Sequence, residues 1–130
     1  MTLNYQAIEQ AVNAERDAGG FAKLMQDFQE LGVLRYDYLV ATGIYRYFDA
    51  DSHVDLKMNG VPKPVASVGD ASAIKAAVKG AQAGEFDFER FCELAGAAGV
   101  PVWTSDLTAK EVRYYDENGQ VLLAEPIPGL

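Results

Sequence analysis

Two hydrophobic periods alternate along the chain, and each appears twice. Asn4 and Asp70 are good N-caps, each followed by apolar residues at helical spacing: Ile8, Ala11 and Val12, then Ile74, Ala77 and Val78. A second helix follows in each case. Its stripe is Phe21, Leu24, Met25, Phe28 and Leu31 in one place, and Phe88, Phe91, Cys92, Ala95 and Ala98 in the other. Both stripes stop at a glycine, Gly32 and Gly99, where a left-handed residue closes a helix. Beyond each glycine the period drops to two. Segments 33–40, 43–48 and 53–58 read as strands, as do 100–107, 110–115 and 120–125. Asp49-Ala-Asp-Ser52 and Asp116-Glu-Asn-Gly119 have turn chemistry, the second with glycine where a positive φ falls.

The alternation is an internal repeat. Sliding the chain by 67 residues sets 21–56 on 88–123 without a gap. Identities fall at Phe21/Phe88, Gly32/Gly99, Val33/Val100, Arg46/Arg113, Tyr47/Tyr114, Asp49/Asp116, Val54/Val121 and Leu56/Leu123. A shift of 66 aligns the upstream helices through Asn4/Asp70, Ile8/Ile74 and Val12/Val78, with one extra residue near Glu85. The expected fold is therefore α+β: a tandem duplication of an ααβββ unit, with one antiparallel sheet and helices mainly on one face. Residues 1–130 form one domain of two pseudo-repeats, about 4–58 and 70–125, joined by a Pro/Gly loop over 59–69. Units of about 60 residues are marginal alone, so a shared core is expected. A turn at Ala41-Thr42 sets Asp37 opposite Arg46 and Tyr36 opposite Tyr47. A turn at Ala50-Asp51 sets Asp55 opposite Arg46 and His53 opposite Phe48. One sheet face then carries Tyr36, Tyr38, Val40, Tyr45, Tyr47 and Val54, and as the more apolar face it should meet the helices. In the second unit the same register opposes Asp106 to Glu111, so a bulge or longer loop is expected there.

Composition narrows function mostly by exclusion. The chain has 130 residues, 49% hydrophobic and 23% charged, as in ordinary globular proteins. Its net charge of −8 opposes nucleic acid and anionic membrane surfaces, and neither is expected as a partner. One cysteine makes no internal disulfide, and one histidine makes no ordinary zinc cluster. The start Met1-Thr-Leu-Asn-Tyr-Gln6 lacks a signal-peptide pattern, and no apolar run has the length of a membrane span. With Cys92 unpaired, the expected compartment is the cytoplasm. No phosphate loop, nucleophile motif or metal-ligand spacing appears, so the catalytic residues stay unknown and no cofactor or metal is expected.

Six residues are candidate ligand-binding groups. Arg46 and Arg113 are equivalent, and two arginines on one sheet face can hold an anion; the alternative is a cross-strand ion pair with Asp37 and Asp55. His53 has the side chain that titrates near neutrality, suited to a general base, but beside a turn it reads equally as an exposed polar residue. Tyr36, Tyr38 and Trp103 are candidates for an aromatic pocket between sheet and helices, against simple core packing.

The motifs Leu31-Gly-Val-Leu-Arg-Tyr36, Tyr45-Arg-Tyr-Phe-Asp49, Ala97-Ala-Gly-Val-Pro-Val-Trp103, Val112-Arg-Tyr-Tyr-Asp116 and Glu125-Pro-Ile-Pro128 resemble the YbcV-like family of uncharacterised bacterial proteins. That domain of unknown function is sometimes labelled a phage envelope protein. The resemblance implies a small α+β protein and carries over no catalytic residue. Three readings follow. The first is a non-enzymatic binding or protein-interaction module, expected as a homo-oligomer because Leu39, Ile44, Phe48, Val102 and Tyr115 leave apolar patches on the open face. The second is a small-molecule enzyme using His53 with a neighbouring Asp or Tyr. The third is a phage-derived structural or accessory protein.

Overall fold

A computed structural model describes residues 21–57 and 60–127. The helix expected from Asn4 lies outside the described residues. The described part is an α+β fold of three helices and one six-strand antiparallel sheet.

Helix α1 (Phe21–Glu30) ends where Gly32 turns to φ 90° and Val33 N–H donates to the Phe28 carbonyl at 2.9 Å. Helix α2 (Ala71–Gln82) starts at Asp70, whose carboxylate accepts from Ala73 N–H at 3.0 Å. Asp87 caps α3 (Phe88–Ala97) in the same way through Arg90 N–H, at 2.9 Å. At its far end Gly99 has φ 76° and Val100 N–H donates to the Ala95 carbonyl at 3.0 Å. Both helix-ending glycines thus take the conformation that their place in the pattern demands.

The strands are β1 (Arg35–Leu39), β2 (Ile44–Phe48), β3 (His53–Leu56), β4 (Val102–Asp106), β5 (Glu111–Tyr115) and β6 (Val121–Pro126), in the order β3-β2-β1-β4-β5-β6. Asp37 faces Arg46, Tyr36 faces Tyr47, Asp55 faces Arg46 and His53 faces Phe48, the pairings expected from the turns. The centre of the sheet is the β1–β4 ladder, where Asp37 lies opposite Thr104 and Tyr38 opposite Trp103.

Asp106 does stand opposite Glu111, and β4–β5 stays in register; the irregularity lies instead between Tyr114 and Tyr115 in the β5–β6 pairing. No bulge is needed because each carboxylate has another partner. Asp106 accepts from Thr108 and Ala109 N–H at 3.0 and 2.9 Å, and Glu111 is ion-paired with Arg113.

Alternate side chains of β1, β2 and β5 are buried, β4 buries Trp103, Thr104 and Ser105 in succession, and the apolar ones join Met25, Phe28, Ile74, Val78, Phe91 and Cys92 in one core. Its centre is aromatic. Tyr38 stacks on Trp103 with centroids 4.6 Å apart, Phe28 and Phe91 meet the sheet rings edge-on, and Phe88 is edge-on to Tyr38 and stacked on Tyr45. The crossover between β3 and α2 is tied down by its backbone: Lys63 N–H donates to Val40 O, Ala66 N–H to Gly96 O and Asp70 N–H to Ala98 O. Its approach is close enough that a Cβ on Gly96 would lie 2.2 Å from the Pro64 carbonyl oxygen.

Candidate functional site

The buried alternation on one side of the sheet leaves the other side open, and no described helix covers it. Three rows of residues cross this face. The first runs Ile44, Leu39, Val102, Tyr115 and is apolar. The second runs Asp55, Arg46, Asp37, Thr104, Arg113. The third runs His53, Phe48, Arg35, Asp106, Glu111.

The middle row is internally neutralised. Arg46 donates twice to Asp55, at 2.8 and 3.0 Å, which lowers the Asp55 pKa and raises that of Arg46. Thr104 Oγ1 donates to Asp37 at 2.7 Å, and Arg113 is held by Glu111, which raises its pKa. Three inter-strand steps, about 14 Å, separate Arg46 from Arg113. The two arginines are therefore not brought together around one anion; each is engaged by a carboxylate of its own half of the sheet.

At the end of the third row, the turns 49–52 and 106–108 enclose an open depression of about 420 Å³. Its lining includes Leu34, Arg35, Phe48, Asp51, His53 and Asp106. The Arg35 guanidinium lies 4.0 Å from the centroid of the Phe48 ring, and the His53 ring lies 5.7 Å from the same ring. Asp49 organises the turn by accepting from Asp51 and Ser52 N–H, and those bonds lower its pKa. Arg46, Arg90 and Arg113 are all ion-paired, whereas Arg35 has no carboxylate partner among the described residues. The carboxylate opposite it, Asp106, has turned to the backbone of its own loop.

A family model described as Protein of unknown function (DUF1398) matches residues 9–126. The chain belongs to this family. No curated protein matches it. The chain thus carries an uncharacterised domain, and the description of DUF1398 names no activity and no phage role.

The remaining candidates of this DUF1398 chain lie in different places. Tyr36, Tyr38 and Trp103 are 5%, 0% and 5% exposed, and the rings of Phe28, Phe88 and Phe91 occupy the space against them. Tyr38 is also a polar hub, its hydroxyl accepting from Val61 N–H at 3.3 Å. Burial raises the Tyr38 pKa, and desolvation pushes the neighbouring Cys92 thiol up to about 11. His53 is exposed on the rim of the depression, its ring against Phe48. Sequence reasoning missed Leu34, Arg35, Asp51 and Asp106. The 67-residue offset held a signal for two of them, since it sets Arg35 on Val102 and Asp106 on Leu39.

Proposed function

We propose that this DUF1398 chain is a non-enzymatic protein-interaction module that works through its open sheet face and assembles with copies of itself. One observation carries the reading: half-buried Leu39, Ile44, Phe48, Val102 and Tyr115 lie on a broad face that no described helix covers. Apolar area of that kind is stabilised by a partner surface. The competing enzyme reading needs His53 beside a proton-relaying group. Its favourable point is a place in the depression; the contact its ring makes is with Phe48. Cytoplasmic residence belongs to the same proposal, supported by the buried free thiol of Cys92.

The proposal includes the tandem duplication of an ααβββ unit. Its support is a strand order symmetric about the β1–β4 ladder, with Asp37 opposite its own repeat counterpart Thr104. Hydrogen bonds repeat as well. Val40 N–H donates to Pro101 O and Leu107 N–H to Leu34 O, a pair exchanged by the 67-residue shift. Gly43 and Lys110, equivalent by that shift, both have positive φ, 71° and 62°.

Light scattering coupled to size separation at micromolar concentration tests self-assembly. A mass above that of one chain is expected, and a strictly monomeric mass overturns it.

A further inference from the structure

Resting on that reading, we infer that the depression beside Arg35 is where two copies meet, each Arg35 guanidinium receiving the Asp51 carboxylate of the other. The starting point is an arginine with unused capacity. Arg35 is fixed over Phe48 and has no ion-pair partner among the described residues, while Asp106, directly across the strand pair, is committed to Thr108 and Ala109 N–H. Asp51, in the same lining, is exposed. Its backbone N–H is used by Asp49, but among the described residues no hydrogen bond or ion pair engages its own carboxylate.

The chemistry of the lining decides what occupant fits. A simple anion meets Asp49, Asp51 and Asp106; a simple cation meets Arg35. An occupant bearing both signs at matching separation satisfies both sides. A second copy of the same patch meets this requirement by construction, because a twofold contact repeats every residue pair in reverse. The depression is open, and Leu34 on its rim is 45% exposed, so apolar surface is available to meet its own counterpart across the axis. Each dimer would contain two Arg35–Asp51 pairs in a partly desolvated setting, where a planar guanidinium holds a carboxylate through paired hydrogen bonds.

Charge reversal with exchange tests this on the full chain. Arg35→Glu and Asp51→Lys each place like charges across the twofold, and each is expected to weaken self-association about tenfold or more. Among the described residues neither side chain has a hydrogen-bond partner, so the far-ultraviolet circular dichroism of each variant should match the parent. In an equimolar mixture of the two variants both contacts of the mixed dimer are attractive, one native and one with its signs reversed, and dimer should recover. If the parent self-associates and both variants do so equally well, this pairing is wrong while the open-face reading stands. Two monomeric variants that stay monomeric when mixed also overturn it. A monomeric parent removes both proposals. Thermal stabilisation of a monomeric parent by millimolar free glycine would instead make the depression a small-zwitterion site, against the pairing proposed.

Discussion

Replacing Gly96 by alanine sets two physical effects against each other. Gly96 is in the last turn of α3, where alanine favours the helix by about 1 kcal/mol over glycine. The added Cβ would sit 2.2 Å from the Pro64 carbonyl oxygen, whereas ordinary contact begins at 3.4 Å. The crossover must therefore retreat by about 1 Å. Both neighbours of that contact are backbone, so no side chain can swing aside. Overpacking of this kind costs about 1–3 kcal/mol. The retreat also strains the bond from Ala66 N–H to the Gly96 carbonyl, now 2.9 Å and worth about 1 kcal/mol. After the helix gain is subtracted, Gly96→Ala should lose about 1–3 kcal/mol. Urea unfolding followed by the fluorescence of buried Trp103 measures it. A variant as stable as the parent, or more stable, would show that the crossover is not seated on this helix, and the packing account given above would fail.

Two tyrosines should respond oppositely to loss of their hydroxyls. Tyr47 Oη is buried without a hydrogen-bond partner among the described residues, so Tyr47→Phe should leave stability unchanged or raise it by about 1 kcal/mol; Tyr38 Oη accepts from Val61 N–H, so Tyr38→Phe should lose about 1 kcal/mol in the same urea assay. Desolvation raises the pKa of Tyr38, Tyr45, Tyr47 and Tyr114, so their contribution is complete below the unfolded tyrosine value near 10 and disappears as pH rises beyond it. Absorbance at alkaline pH should therefore show these four ionising together with loss of the fold; their gradual ionisation within an intact fold would contradict the core described. Asp55, held by Arg46, and Asp49, held by the N–H groups of its turn, have lowered pKa values. Their contribution is present above the unfolded aspartate value near 4 and is lost as pH falls through the lower folded values, so Asp55→Asn should flatten the acid limb of a stability–pH curve. Cys92, fully buried and with its thiol pushed up to about 11, should resist alkylation at pH 8 until urea unfolds the chain; rapid native labelling would place it elsewhere.

The elements were legible because their signals are local. Asp70 as a cap, Gly32 and Gly99 as terminators, and the alternation Tyr36-Tyr38 against Tyr45-Tyr47 each depend on residues a few positions away. Hairpin registers followed from turn length for the same reason. Strand order is not local. The contact of β1 with β4 depends on how the two halves dock, and with it goes the depression, whose Arg35 and Asp106 are opposed only through that ladder. The tolerated Asp106–Glu111 pair shows a second limit, because side-chain bonds to a loop backbone leave no trace in a charge pattern. Arg46 and Arg113 share a place in the sequence pattern, but a shared place in a pattern says nothing about proximity.

The sheet order also sets a timetable for folding. Within each half, β1 to β3 and β4 to β6 pair with their neighbours in sequence across short turns, contacts that form early because little chain must be closed. Of the strand pairings the central ladder alone joins distant segments, with Asp37 and Thr104 67 residues apart. Loop-closure entropy is thus concentrated in one late event, the docking of two preformed meanders. Until that event, the edges of β1 and β4 are both unpaired and sticky, so the newly made chain is most exposed to misassembly just before its two halves meet.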